Sequence, residues 1–309
     1  MRSSVRCAVA APSMGAMAPL VVCVGLTTID VVQQVVELPR ANAKIVAHGL
    51  RVDVGGPAAN AARVAAALGC QVRLVTALGG SDLADLARNR LDGIEIVDVA
   101  PADHQVPVST VLVTPDGARA VVSRNATGLT QQTLPSSEIV RDADVVLHDG
   151  HLVDASTALA ALSASPIHLL DGGSWKPGLQ MLLPSLDVAV VSADFALPGH
   201  SPEQALDDLA GYGIPRLART HGAQPVVYAV AERPGELPVP DVKAVDTTGA
   251  GDVLHGALAA HLAEGLGFVE ALRQAIDLAS RSVTGRGVLA WHPVRTPSAP
   301  SRSTTPTTP

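Results

Sequence analysis

From residue 144 onward the chain alternates between two kinds of segment. Apolar runs at 144–148, 166–171 and 186–191 bracket a helix-like stretch at 155–162. Short, nearly all-apolar runs are what strands buried on both faces look like. A helix between two such strands is a crossover, and crossovers set strands parallel. This confines the chain to an α/β fold: a mostly parallel sheet with helices on both faces. The N-terminal half fits the same plan. A run at 20–25 and another at 71–77 flank a helix that starts at Pro57 and stops before Gly69. Ser81 caps a second helix through 91, and 268–283 reads as a late helix. Late strands are expected at 217–220 and 226–230.

Two segments break the pattern. Residues 31–36 and 44–54 have strand composition, interrupted by Pro39 and Gly49. Residues 106–114 and 118–123 flank Pro115-Asp116-Gly117, and Asp-Gly between β-branched runs predicts a hairpin. Arg119 and Arg124 read as its solvated face.

Composition narrows the class of partner. Hydrophobic residues make up 47% of the 309 positions but aromatics only 2%, so Ala, Val and Leu must fill the core. The net charge of −7 argues against a nucleic-acid or acidic-membrane surface. Cys7, Cys23 and Cys70 lack metal-type spacing and suggest a reducing, cytoplasmic interior. No run is long enough to span a membrane. Residues 1–19 read as a disordered extension, or as an over-long start with Met17 the true initiator. Residues 294–309, rich in Thr, Ser and Pro, read as a disordered tail.

The chemistry is concentrated in Asp246-Thr247-Thr248-Gly249-Ala250-Gly251-Asp252, which runs straight into a helix ending near Gly265. Thr247 and Thr248 can cap, and Gly249 and Gly251 let the backbone turn sharply. The amides of Ala250, Gly251 and Asp252 then lie at a helix N-terminus, where an anion collects. Asp252 stands beside that position and can take a proton from an attacking hydroxyl. A Walker-type phosphate loop is absent: Lys44, Lys176 and Lys243 are not preceded by Gly. His148-Asp149-Gly150-His151 has two histidines three apart, but on a loop, and reads poorly as a metal site. Asp171, at a strand end, is a further candidate for the ligand edge.

The string 246–252 resembles the C-terminal signature of the ribokinase-like (PfkB-type) carbohydrate kinases. Val54-Gly55-Gly56-Pro57-Ala58-Ala59-Asn60 resembles their N-terminal signature, and Gly79-Gly80-Ser81-Asp82 their G-x-D turn. The resemblance covers roughly 20–293. It implies a ribokinase-like three-layer αβα sandwich with a small β lid, its strands within about 29–54 and 106–124. It implies ATP and Mg²⁺ as cofactors and a small sugar as acceptor. Asp252 is then the catalytic base, and the amides of 249–252, including those of Gly249, Ala250 and Gly251, are the anion hole. Asp30, Gly55, Gly56 and Asn60 would bind the sugar. Thr220, Gly222, Thr248, Gly249 and Gly251 would bind the nucleotide. Some relatives pair through the lid, so a homodimer is the expected partner, with neither nucleic acid nor membrane.

The chain also departs from that pattern. Pro57 replaces a polar residue, and Pro225 replaces the last Gly of T-x-G-x-x-G. The central N-x-x-E becomes Ser192 and Phe195, which resembles the ketohexokinase-like branch and leaves the metal ligands unassigned. Asp194 and Asp246 are the nearby carboxylates. Two other readings stay open: a nucleoside kinase of the same family, and a sugar-binding regulatory protein with weak turnover. Two Phe and two Tyr are few for stacking a base.

Overall fold

The computed structural model describes residues 17–115, 118–124 and 133–292. The first elements are β1 (Leu20–Val24), β2 (Thr28–Gln34), β3 (Gly49–Gly55), α1 (Pro57–Ala67) and β4 (Gln71–Thr76). Then come α2 (Asp82–Arg90), β5 (Glu95–Asp98), β6 (Val108–Val113), β7 (Arg119–Ser123) and β8 (Val145–His148). The C-terminal half adds α3 (Val153–Leu162), β9 (Ile167–Gly172), β10 (Val188–Val191), α4 (Ala205–Gly211) and β11 (Arg216–His221). It ends with β12 (Gln224–Val230), β13 (Arg233–Leu237), α5 (Ala250–Ala263) and α6 (Phe268–Ser282).

Among the described residues there are two sheets. The larger has nine strands in the order β13-β12-β11-β10-β9-β8-β1-β4-β5. From β5 to β11 every pairing is parallel, and β12 and β13 complete the edge antiparallel. The smaller is four-stranded, β3-β2-β6-β7. It matches the expected lid in position, and β6 and β7 pair antiparallel as the hairpin signal predicts. The hairpin tip, Asp116 and Gly117, lies outside the described residues, as do residues 1–16 of the expected extension at 1–19 and all of the expected tail at 294–309.

Side-chain parity makes the large sheet the middle of three layers. Val21 and Cys23 of β1, Leu147 of β8 and Val190 of β10 share a core with Ala61 and Val64 of α1, Leu258 of α5 and Leu272 of α6. Their strand neighbours Val22, Val24 and Val146 point the other way, onto Ala155 and Leu159 of α3. Leu170, Ala189 and Leu217 pack with Leu209 of α4. With so few aromatics, the layers close by letting helices approach. A Cβ at Gly256, in the middle of α5, would lie 2.6 Å from the carbonyl oxygen of Ala61 on α1. No helix among the described residues is long and apolar enough to cross a membrane.

Several details differ from the sequence expectation. Residues 35–48 hold no strand, because β2 starts earlier, at Thr28, and β3 later, at Gly49. The short edge strand β5 and the hairpin partner β13 were not anticipated. Edge strands see solvent on one side, so their polar residues (Glu95, Asp98, Arg233, Glu236) mask the apolar pattern.

Candidate active site

The C-terminal ends of the parallel strands share one edge of the large sheet, and the N-terminus of α5 comes up against it. Gly249 is the N-cap of α5, with φ 76° and ψ 9°, a left-handed conformation that side chains resist. A Cβ there would also meet Cγ1 of Val288 at 2.5 Å. The expectation that Thr247 and Thr248 cap this helix is corrected: α5 has no side-chain cap. Instead the carboxylate of Asp246 accepts from the amide of Thr248 at 3.0 Å, and the carbonyl of Thr247 accepts from Ala250 at 3.3 Å. The loop therefore spends its side chains on its own shape. That leaves the first-turn amides of Gly251 and Asp252 without helical partners, as at any helix start.

Asp252 is half-buried on the first turn of α5. Asn60, buried on the first turn of α1, donates from Nδ2 to its Oδ2 at 2.7 Å. Withdrawal from water, together with the charge of Asp171, pushes the Asp252 carboxyl up to about 7, against the hydrogen bond from Asn60 and the presence of His255. Asp171, at the end of β9, is itself pushed upward by burial, with His255 opposing. Its Oδ1 lies 3.4 Å from Nδ1 of His255.

Sequence reasoning passed over Asp149. Its buried carboxylate accepts from the amides of Leu26 at 2.7 Å, Ala58 at 3.2 Å and His151 at 2.9 Å. It thereby ties the end of β1, the start of α1 and the loop after β8 together. Burial works to raise this carboxyl, but the neighbouring His151 and the amide bonds outweigh it and hold it below the usual range. A Cβ on Gly25 would collide with the same carboxylate, which is why β1 ends in glycine. His148 turns away from the site and stacks on His168, with ring centroids 5.4 Å apart.

Asp30 falls just before the strand expected at 31–36. It lies instead within β2 of the small sheet, opposite Asp53 of β3 and Ser109 of β6. The hydroxyl of Thr28 donates to its Oδ1 at 2.7 Å. Burial raises its carboxyl, and the bonds from Thr28 and Ser109 pull against that. Gly55 pairs with Thr28 and lies diagonally across the ladder from Asp30, and a Cβ there would collide with Oδ2 of Asp30. Gly56, with φ 94°, is the N-cap of α1, pressed against the carbonyl of Leu26.

The other candidates separate. Thr220, on β11, reaches the carbonyl of Val191 at 3.4 Å, and Gly222, with φ 59°, turns the β11–β12 hairpin. Arg119, read as solvated, reaches across from β7 and donates to the hydroxyl of Thr248 at 3.2 Å. Asn60 spends one amide N–H on Asp252 and keeps its second N–H and its carbonyl oxygen for a hydroxyl. Phe195 is fully buried beneath the sheet against Trp175, 6.2 Å away, so its position is core and offers no ligand place. Ser192 donates to the carbonyl of Gly173 at 2.7 Å. Asp194 is exposed, and Asp246 is occupied by the loop. No group of three His, Cys, Asp or Glu among the described residues could hold a metal ion.

Three comparisons bear on this geometry. The model of the pfkB family carbohydrate kinases matches residues 18–294. The ribokinase of Bacillus subtilis is 27% identical over 290 residues, 89% of this chain and 96% of the relative. Two solved structures share the fold. Ribokinase of Thermotoga maritima has a TM-score of 0.74 at 23% identity, covering 90% of this chain and 97% of the other. Arabidopsis thaliana ribokinase, complexed with ribose and ATP, has a TM-score of 0.73 at 24% identity, covering 89% and 96%. The chain belongs to the pfkB family of carbohydrate kinases, phosphotransferases that act on hydroxyl groups.

Proposed function

We propose that this pfkB-family kinase transfers the terminal phosphoryl group of Mg-ATP to a hydroxyl of a small sugar, with Asp252 as the base. The observation that carries the reading is the 2.7 Å bond from Asn60 to Asp252 at the open N-terminus of α5. A carboxylate poised near neutrality, beside amides that hold an anion, suits an acceptor hydroxyl attacking a phosphoryl group. Asp252 takes the hydroxyl proton as the oxygen–phosphorus bond forms. The amides of 250–252 and the helix dipole hold the charge on the transferred group. Mg²⁺ enters with the nucleotide, held by its phosphates and water, which suits a site with no cluster of protein ligands.

Asp30 fits the sugar end, because a carboxylate can accept from two neighbouring hydroxyls. It sits on the small sheet, which then works as the lid over the sugar. Thr248 and Arg119 stand where the lid meets the phosphate loop. The test is ADP release with Mg-ATP against pentoses, ketohexoses, aldohexoses, sugar phosphates and nucleosides. A sugar accepted at least tenfold better in kcat/KM than any nucleoside is expected. A nucleoside preferred by that margin would transfer the reading to base recognition.

A further inference from the structure

His255 has more contacts than a neutral imidazole can satisfy. It lies one turn along α5 from Asp252, and the two share a face of the helix. Its Nδ1 is 2.8 Å from the carbonyl oxygen of Gly251, and its Nε2 is 3.0 Å from the carbonyl oxygen of Val190 on β10. A carbonyl oxygen only accepts, and a neutral ring carries one N–H. One of the two contacts would then set a ring lone pair against a carbonyl lone pair. The ring is 6% exposed, so water is poorly placed to take over. The carboxylate of Asp171, 8% exposed, lies 3.4 Å from Nδ1, and its second oxygen is buried with no partner. A buried cation needs such a counter-charge.

We propose that His255 is held as an imidazolium by Asp171, and that this pair positions Asp252 and the anion-binding amides of α5. This rests on the reading of Asp252 as the base. The link is a single peptide unit: the carbonyl that accepts from Nδ1 belongs to Gly251, and the N–H on the same unit belongs to Asp252. A proton donated to that carbonyl polarises the unit and strengthens its N–H as a donor to the phosphoryl group. The cation also favours the ionised form of Asp252. The charged groups around the pair are Asp252 on α5, Asp149 and His151 after β8, and Asp171 with Lys176 after β9. From α1 the neighbour is the neutral Asn60. Lys176 is tethered to the hydroxyl and carbonyl of Ser174, which keeps its ammonium on the loop. His255 is thus a positioning residue, acting through Asp252 and its peptide.

The direct test reads the wild-type protein and needs no turnover. Nitrogen-15 NMR of histidine-labelled protein at pH 7.5 reads each ring nitrogen as protonated or bare, with His255→Gln used only to assign the signal. Two protonated nitrogens are expected, and one bare nitrogen overturns the proposal. The second test is the pH profile of kcat. His255→Gln keeps one donor but removes the charge, so the acidic limb moves up by about one pH unit. Asp171→Asn takes away the counter-charge that keeps the ring protonated, so its two effects on Asp252 oppose each other and the limb moves less than in His255→Gln. A limb that stays put in folded His255→Gln overturns the link to Asp252, because a purely structural role lowers melting temperature without moving the limb. If Asp252→Asn keeps full activity, the reading of the base fails, while the NMR result still stands for or against the ion pair.

Discussion

Asn60 and Asp252 lie 192 positions apart in the chain, and a 2.7 Å hydrogen bond joins them. Each sits on the first turn of its helix, α1 or α5, and the two helices pack side by side. The bond makes the proposed base and its support one unit assembled by helix packing.

Removing the base is the first prediction. Asp252→Asn keeps the shape and a possible bond with Asn60, but cannot accept the proton. Turnover should fall by roughly two to four orders of magnitude, with ATP binding little changed. Steady-state kinetics and nucleotide titration check this. A variant keeping more than about a tenth of wild-type kcat removes Asp252 from the role.

The raised Asp252 carboxyl carries a pH signature in both rate and stability. kcat/KM should rise with pH through an acidic limb near 7, where this carboxyl is held. The sign for stability is opposite. Unfolded, the group ionises near its ordinary value of about 4, so between that pH and 7 the native state binds the extra proton. Its contribution is fully present below the unfolded value and is lost as pH rises through 7. Asp252→Asn should therefore raise the melting temperature more at pH 8 than at pH 5, by about 2–4 °C for each kcal/mol relieved. Equal shifts at the two pH values would contradict a carboxyl held near neutrality.

Loss of the supporting amide should act on both substrates' chemistry. Asn60→Ala removes a hydrogen bond that lowers the Asp252 carboxyl, so the acidic limb should move upward. kcat should fall by roughly ten- to a hundredfold, as for a lost bond to a charged group at about 1.5–3 kcal/mol. Asp30→Ala, on the other sheet, should instead raise KM for the sugar and leave the limb in place. Kinetics across pH separate the two. A KM effect alone in Asn60→Ala would return that residue to the sugar.

Phe195 should behave as core. Phe195→Ala should cost about 3–5 kcal/mol of stability. Phe195→Glu, which restores the motif's acidic residue, buries a charge without a partner and should melt earlier still. Thermal denaturation decides. A folded Phe195→Glu protein with a lower Mg²⁺ requirement would show that the core reading is wrong.

Much of this was legible in the sequence because it is local. Pro57 and Gly69 bracket α1, Ser81 caps α2, and the Asp-Gly turn announced β6 and β7. The phosphate loop was legible for the same reason, since consecutive residues carry it. Asp149 and His255 were not, and Asp171 was legible only as a carboxylate at a strand end. They come from two strand ends and a helix, and what gives each its chemistry is a neighbour far away in the chain. His255 in particular reads as one more residue of a helix until β10 supplies the carbonyl of Val190. Asp30 was named but misplaced, because β2 starts at Thr28, three residues before the expected strand, and so carries it into the sheet. Phe195 looked like a vacated ligand when only the motif was in view; its burial shows what the position does.

The joint between β3 and α1 has a consequence of its own. β3 ends at Gly55, Gly56 is wedged against Leu26, and the helix opens on Pro57, whose ring fixes its backbone angle. So stiff a corner has little slack to absorb a shift of the small sheet, and Asn60 is only four residues on. On the proposed reading, a sugar that draws the small sheet inward would also seat the side chain that steadies Asp252. Acceptor capture and alignment of the base become thermodynamically linked, each favouring the other by the same free energy. On the proposed reading, water would be too small to pull on the sheet, and hydrolysis of the nucleotide without an acceptor would be slow.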